Sequence, residues 1–449
     1  MLQQRQQVLL NTTRKLLRKN AHIRLQHIVE HVHPADVAAL MMFLSEDQQD
    51  IVFGLLGENA RKAEVLSYLE DAITERLLDD FSVNDIAVIL QEMDDDDAAD
   101  LLANVDEEKA KQILRLMGRE EREEIEDLLS YEDDTAGGIM TTDYIELKPE
   151  MTASEALVAV QREGEEPEMV FYLYVVDDDE RLIGVVSLRE VVQAPGETLI
   201  ESLMTRDIKK VRTDTDQEEV ASIIARYDLL AVPVVDAENV LSGIITVDDV
   251  IDVIRAEATE DILKQAGVSE ELLDDYSVRR NVLSRLPWLL ATWVGGIIVV
   301  SLIGQYEEAL KKVLPLAAFI PIVLGMAGNL GSQSATIIVR GIALGKVDVN
   351  HLFATVAKEG MTGLVLGCFY GVLLGAVAFA QYSDIPRLGL VVGLALSSGM
   401  FIAALVGTLV PMLLHRIKVD PAIATGPFVT TFVDITGVVV YFHISMMLL

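Results

Sequence analysis

The residue in this sequence best placed to do chemistry is a lone aspartate inside an apolar segment. Asp434 stands in PAIATGPFVTTFVDITGVVVYFHISMMLL, far from either end. At the middle of a bilayer an aspartate costs about 2.5 to 3.5 kcal/mol to insert, so it must be neutralised, paired or matched to a cation. No Lys or Arg lies within an apolar segment to pair with it. That leaves a protonated helix–helix hydrogen bond or a cation. Thr430, Thr431 and Thr436, with Gly426 and Gly437, make a polar, narrow-sided stripe in the same segment. An earlier segment, LPLAAFIPIVLGMAGNLGSQSATIIVR, carries Pro315, Pro321, Gly325, Gly328, Gly331 and the amides Asn329 and Gln333 at a helical i, i+4 spacing. Either its small residues only pack helices, or the backbone is irregular or closely approached beside a wet path. One carboxylate with amides, hydroxyls and no soft ligand suits a hard ion held through oxygen, such as Mg²⁺. Gly325, Gly328, Asn329, Thr431 and Gly437 are the expected lining of such a path.

Positioning these groups requires spans. Five apolar segments follow Arg285: Leu286 to Ile303, Val313 to Val339, Met361 to Ala380, Leu388 to Leu414 and Ala422 to Leu449. Each is long enough to cross a bilayer. An odd number puts the two ends on opposite sides. With the front inside, the short inner loops and the approach to the first span carry eight Lys and Arg against three outside, as the positive-inside rule requires. The expected location is the cell membrane, multi-pass, with the N-terminus cytoplasmic and the C-terminus external. The opening MLQQRQQVLLNTTRKLLRK has no apolar core of a secretory signal. The single cysteine, Cys368, lies within an apolar run.

Charge divides the chain in the same place. Of 71 Asp and Glu, 64 lie in residues 1–278 with 25 bases, a net charge of −39; residues 279–449 carry 7 acids and 11 bases. Such a front repels nucleic acid. The chain also shows no convincing nucleophile, histidine cluster or phosphate loop, which argues against an enzyme. Residues 26–130 read as short capped amphipathic helices, HPADVAALMMFLSEDQQDIVFGLL recurring in outline as SVNDIAVILQEMDDDDAADLLANV, hence a helical stack. Residues 1–25 are expected to be flexible. The run Asp94, Asp95, Asp96, Asp97 and then Asp100 reads either as a solvated helix start favoured by the helix dipole or as a divalent-cation contact.

Residues 131–200 and 201–254 form an internal repeat, IMTTDYIELKPEMTASEAL matching LMTRDIKKVRTDTDQEEVASII. Each copy reads as a strand, a helix, two strands about a turn and a further helix. The slightly longer first copy places extra residues between 162 and 169. The pair resembles tandem CBS modules, in which the turn seen here as Gly184, Ser187, Glu190 and Gly243, Thr246, Asp249 contacts a nucleotide ribose or only builds the module. Arg189 is the expected phosphate partner if an adenine nucleotide such as ATP binds. Residues 255–278 complete a connecting helix that begins in the second copy; Asp249, Asp252 and Glu260 on it are too far apart for one site within a chain.

The order of parts, with YEDDTAGGIMT, GNLGSQSAT and ATGPFVTTFVD, resembles the MgtE family of magnesium channels and transporters over nearly the whole chain. The resemblance implies an α-helical superhelical N domain, an α/β CBS pair, a connecting plug helix and a five-helix transmembrane domain at 279–449. It also implies a homodimer in the lipid bilayer, a pore lined by the second and fifth spans, and a hydrated Mg²⁺ at Asp434. Regulatory Mg²⁺ is then carried over to Asp249, Asp252, Glu257, Glu260 and Asp261, to Asp216, Glu218 and Asp228 in the second CBS unit, to Asp420 at the inner mouth, and more loosely to Asp94, Asp95 and Asp97. Feedback closure at high internal Mg²⁺ is the expected function. The alternative is a carrier exchanging Mg²⁺ for Na⁺ or H⁺, disfavoured by the lack of an inverted repeat.

Overall fold

A computed structural model describes residues 4–79, 81–162, 169–268, 278–347, 351–424 and 426–449. The chain divides into two compact units, Met1–Ile254 and Arg255–Leu449. The extra residues of the first copy, at 163–168, and the end of the connecting segment, at 269–277, lie outside the described residues.

The first unit opens with ten short helices from α1 (Gln4–Arg18) to α10 (Arg119–Leu128). Caps set their lengths: Ser82 Oγ accepts from Asp85 N at 3.3 Å ahead of α7 (Val83–Leu90), and Asp106 Oδ1 accepts from Glu108 N at 3.4 Å ahead of α9 (Glu107–Leu114). Odd-numbered helices stack on one another, α3 (Pro34–Met41) on α5 (Asn59–Leu66), α5 on α7 and α7 on α9. Even-numbered helices form the second row, so each short apolar face, too small to be stable alone, is buried between neighbours.

Two α/β modules follow. Strands β1 (Glu146–Leu147), β2 (Tyr172–Val176) and β3 (Leu182–Ser187) form one sheet; β4 (Val211–Arg212), β5 (Ala231–Val235) and β6 (Leu241–Thr246) form the other. In each the first pair is parallel and the second antiparallel, with Val175 opposite Gly184 and Val234 opposite Gly243. The leaders are exchanged. Thr141, ahead of the first module, bridges Ile244 of the second, and Thr205, ahead of the second, bridges Val185 of the first. A Cβ on Gly243 would strike Met140, and one on Gly184 would strike Met204, so each glycine makes room for the methionine of the other copy.

The second unit contains the five expected spans: α16 (Val278–Gln305), α18 (Leu316–Ala343), α19 (Leu352–Gln381), α20 (Arg387–Arg416) and α21 (Pro427–Leu448), with a short α17 (Glu307–Lys312) after the first. Helix α20 is the hub, packed on α18, α19 and α21. Two expectations change. The Pro- and Gly-rich second segment, read as irregular or closely approached backbone, runs as one helix through Pro321, and of its glycines only Gly331 sits at a close approach. The inner loop expected over 340–360 is largely helical, since backbone hydrogen bonding continues past the end of the apolar run on both sides. At the α18–α20 crossing a Cβ on Gly407 would lie 2.2 Å from the Gly331 carbonyl oxygen. Neither backbone can yield alone, so Gly407→Ala is expected to cost about 1–3 kcal/mol, read as a lower melting temperature in detergent; an unchanged value would refute the close crossing.

Candidate cation sites

Asp434 lies on α21, half-buried, without a hydrogen-bond or ion-pair partner among the described residues. Helix α21 packs on α18 through Gly331 against Val429 and Val433, and through Gly437 against Leu324. On α18, Gly325, Asn329, Gln333 and Thr336 are exposed at steps of four, four and three, a single stripe along the helix. The Asn329 and Gln333 amides have no partner among the described residues, and a Cβ on Gly325 or Gly328 would meet nothing within 4 Å. The threonines are less available. Thr431 packs its side chain against Gly295 of α16, and Thr430 and Thr436 donate their hydroxyl protons to the carbonyls of Gly426 and Phe432 at 3.3 and 2.8 Å. On Thr430 and Thr436 only oxygen lone pairs remain, which is what a hydrated cation uses.

A second set of acids meets within the first unit. Helix α8 (Asp95–Ala103) begins at Asp94, which takes the cap position without making a side-chain cap bond. Its first turn approaches the leader of the first module and the start of α15 (Val247–Ala266). Thr142 donates to Asp95 Oδ2 at 2.8 Å, and Thr246 donates to Asp249. Burial raises Asp97 to about 7, with repulsion from Asp94, Asp249 and Asp100 adding to it. Burial, then Asp95 and Asp94, raises Asp143 to about 6. Asp94 and Asp249 are raised too, by burial first; Asp248 adds to both, while Thr246 opposes the shift at Asp249. Asp94 and Asp100 are exposed by area, so solvent screens them and Asp97 carries most of the strain. A raised carboxyl contributes stability below its unfolded value of 3.8 and loses it as pH rises through the folded value, here about 7. Above about 7 the ionised cluster opposes its own compact state unless a cation joins it.

Other expected ligands do not converge. Asp216 caps α14 (Gln217–Tyr227), its Oδ1 accepting from Glu218 N at 2.8 Å, while Asp228 closes the far end in a left-handed conformation at φ 52°. At 1.5 Å per residue Asp216 and Asp228 are about 18 Å apart, too far for one ion. Asp252 falls in the first unit; Glu257, Glu260, Asp261 and Asp420 fall in the second. There Lys264 bridges Glu260 at 2.6 Å and Asp420 at 2.7 Å, and Arg340 stands 3.8 Å from Asp261. Partial burial opposes the Lys264 charge, but the two carboxylates overcome it and raise its affinity for the proton. Thr336 of α18 donates to Gln265 at 3.3 Å. The end of α15 is thereby tied to the C-terminal half of α18 and to Asp420 between α20 and α21.

In the nucleotide-type turns both acids fold back locally. Ser187 donates to Glu190 Oε2 at 2.8 Å in a capping box that starts α12 (Leu188–Gln193), and Thr246 and Asp249 repeat the arrangement. Arg189 is exposed, with no partner among the described residues.

Family profiles match in the order of these parts: an MgtE intracellular N domain at residues 32–134, CBS domains at 136–197 and 200–256, and a divalent cation transporter profile named MgtE at 320–444. The magnesium transporter MgtE of Thermus thermophilus is 38% identical over 440 residues, 95% of both chains. This chain belongs to the MgtE family of magnesium transporters. The Enterococcus faecalis MgtE is also 38% identical, over 72% of this chain and 71% of its own length. Two solved structures align with the front of this MgtE-family chain. One is the cytosolic domain of the Mg²⁺ channel MgtE in complex with ATP, with a TM-score of 0.52, 38% identity and coverage of 54% of this chain and 99% of that one. The other is the soluble part of a magnesium transporter, with a TM-score of 0.51, 32% identity and coverage of 56% and 99%.

Sequence reasoning passed over two side chains of this MgtE-family site. Glu359 lies inside α19 and accepts from Ser334 of the GSQSAT stretch at 3.2 Å; the apolar run alone places it in a loop. Lys264 was not singled out, although its i+4 spacing from Glu260 on a helix is a visible signal.

Proposed function

We propose that this chain is a Mg²⁺-selective channel of the cell membrane, a homodimer with its N-terminus inside, closed by intracellular Mg²⁺ at its acidic front. The observation that carries the reading is Asp434, an unpartnered carboxylate on a span helix packed on the amide-bearing α18. Two copies about a two-fold axis would bring two carboxylates to one ion. Mg²⁺ gives up water reluctantly, so amides, threonine oxygens and a carboxylate contacting its water shell suit it better than a tight protein cage.

Closure follows from charge. Ionised acids repel one another at Asp94, Asp97 and Asp249, and a dication joining them favours the compact arrangement in which they are close. Such a ligand shifts an equilibrium only through its different affinity for the two states. At the inner mouth Lys264 already neutralises Glu260 and Asp420, so it competes with Mg²⁺ there. ATP is the expected regulatory ligand of the CBS pair, on the strength of the similar cytosolic domain bound to it, with Arg189, Glu190, Thr246 and Asp249 as its residues.

Recording from purified protein in planar bilayers, with Mg²⁺ titrated on the inner face, tests the proposal. Discrete steps that disappear as inner Mg²⁺ rises are expected. Flux without steps, strictly dependent on a Na⁺ or H⁺ gradient, would establish a carrier instead. Lys264→Gln is expected to lower the half-closing Mg²⁺ concentration about two- to fivefold, the scale of a partly exposed ion pair.

A further inference from the structure

We propose that His27, Glu30 and His31 form a binding site for a borderline divalent metal ion, with Zn²⁺ the ion it fits best, on the N-terminal helical stack. The three residues stand in HIVEH, an H-x-x-E-H spacing that sequence reasoning passed over and that a helix turns into one cluster. Helix α2 (His22–Val29) ends at its cap residue Glu30, which keeps a helical conformation at φ −72° and ψ −20°. Positions 27, 30 and 31 are therefore i, i+3 and i+4 on one helical face. Each offers one ligand atom, and the three atoms lie within 4.8 Å of one another. All three side chains are exposed, so no packing resists the small rotations that would bring nitrogen and oxygen to about 2.0–2.2 Å from one ion.

The surroundings point the same way. His31 Nδ1 lies 2.9 Å from the His27 carbonyl oxygen. That oxygen can only accept, so Nδ1 carries the hydrogen and Nε2 is left with its lone pair, the support usual for a metal-binding imidazole. Gln26 Nε2 donates to Glu30 Oε1 at 2.8 Å, holding the carboxylate while its second oxygen stays available. The group sits at a helix C-terminus, where the dipole favours a cation. Two imidazoles and a carboxylate with an open fourth position are a zinc ligand set. Nitrogen donors favour Zn²⁺, Ni²⁺ or Cu²⁺ over Mg²⁺, which takes oxygen. The site therefore differs in kind from the acid clusters, and it lies ahead of the segment that matches the N-domain profile. It lets the N-terminal stack register transition-metal ions in the presence of excess Mg²⁺.

Calorimetric titration of Zn²⁺ into full-length protein in detergent with excess Mg²⁺ tests this, alongside Co²⁺ titration followed by its visible ligand-field bands. Wild-type protein is expected to bind one more Zn²⁺ per chain than His27→Gln/His31→Gln and to give a tetrahedral Co²⁺ spectrum that the double variant lacks. Glu30→Gln is expected to weaken binding at least about tenfold, in line with metal-site substitutions generally. Circular dichroism of the variants should be unchanged, because all three positions are exposed. Equal Zn²⁺ stoichiometry and affinity in the double variant, or displacement of the wild-type Zn²⁺ by Mg²⁺, would overturn the proposal.

Discussion

Replacing Asp434 by Ala is expected to reduce Mg²⁺ uptake at least about a hundredfold in protein that still inserts and folds. The size follows from charge: at an effective dielectric constant of about 20, one carboxylate near a dication is worth several kcal/mol, and each 1.4 kcal/mol is a factor of ten. The side chain has no partner among the described residues, so truncation leaves no orphaned group and the fold should survive. Asp434→Glu keeps the charge on a longer arm and should retain part of the flux. Uptake into proteoliposomes, with insertion checked by size-exclusion profile and protease protection, reads the result. Wild-type uptake by correctly inserted Asp434→Ala protein would remove this residue from the permeation path.

Neutralising Asp249, Asp252 and Asp261 together as asparagines is expected to leave the channel open at inner Mg²⁺ concentrations that close the wild type. Moving a two-state equilibrium from 1:99 to 99:1 needs about 5.5 kcal/mol of differential binding. Three fewer carboxylates remove much of that attraction, and they relieve the repulsion that now opposes compaction, since Asp249 lies among Asp94, Asp97 and Asp100. Asp261 is itself raised by burial and by Asp420, against the pull of Arg340. The half-closing concentration should rise at least about tenfold, or closure should vanish, in patch recordings with graded inner Mg²⁺. Closure at the wild-type concentration would refute the gating role of these acids.

Much of this could be read from the residues. The five spans and the lone intramembrane aspartate follow from composition, and the repeat at Met140 and Met204 marks the paired modules. What was not legible has a common cause. The exchange of Met140 and Met204 between modules leaves no local trace, because Gly243 and Gly184 look alike whichever methionine they admit. The turn acids Glu190 and Asp249 read as ligands, and the sequence does not show that each also accepts a hydroxyl proton within its own turn, from Ser187 and Thr246. Asp216 and Asp228, carried over as acids of one module, stand at opposite ends of one helix.

The sequence by itself determined which segments are helices, which stretches suit lipid, and that Asp434 stands as a lone charge within an apolar span. Those are properties of neighbouring residues, set by periodicity, hydropathy and charge. Only the tertiary structure decided that Asp94, Asp97 and Asp249 meet, and that Lys264 holds the carboxylate of Asp420 together with that of Glu260. These are contacts between residues up to 156 positions apart. Spacing along the chain does not encode such distances; packing does.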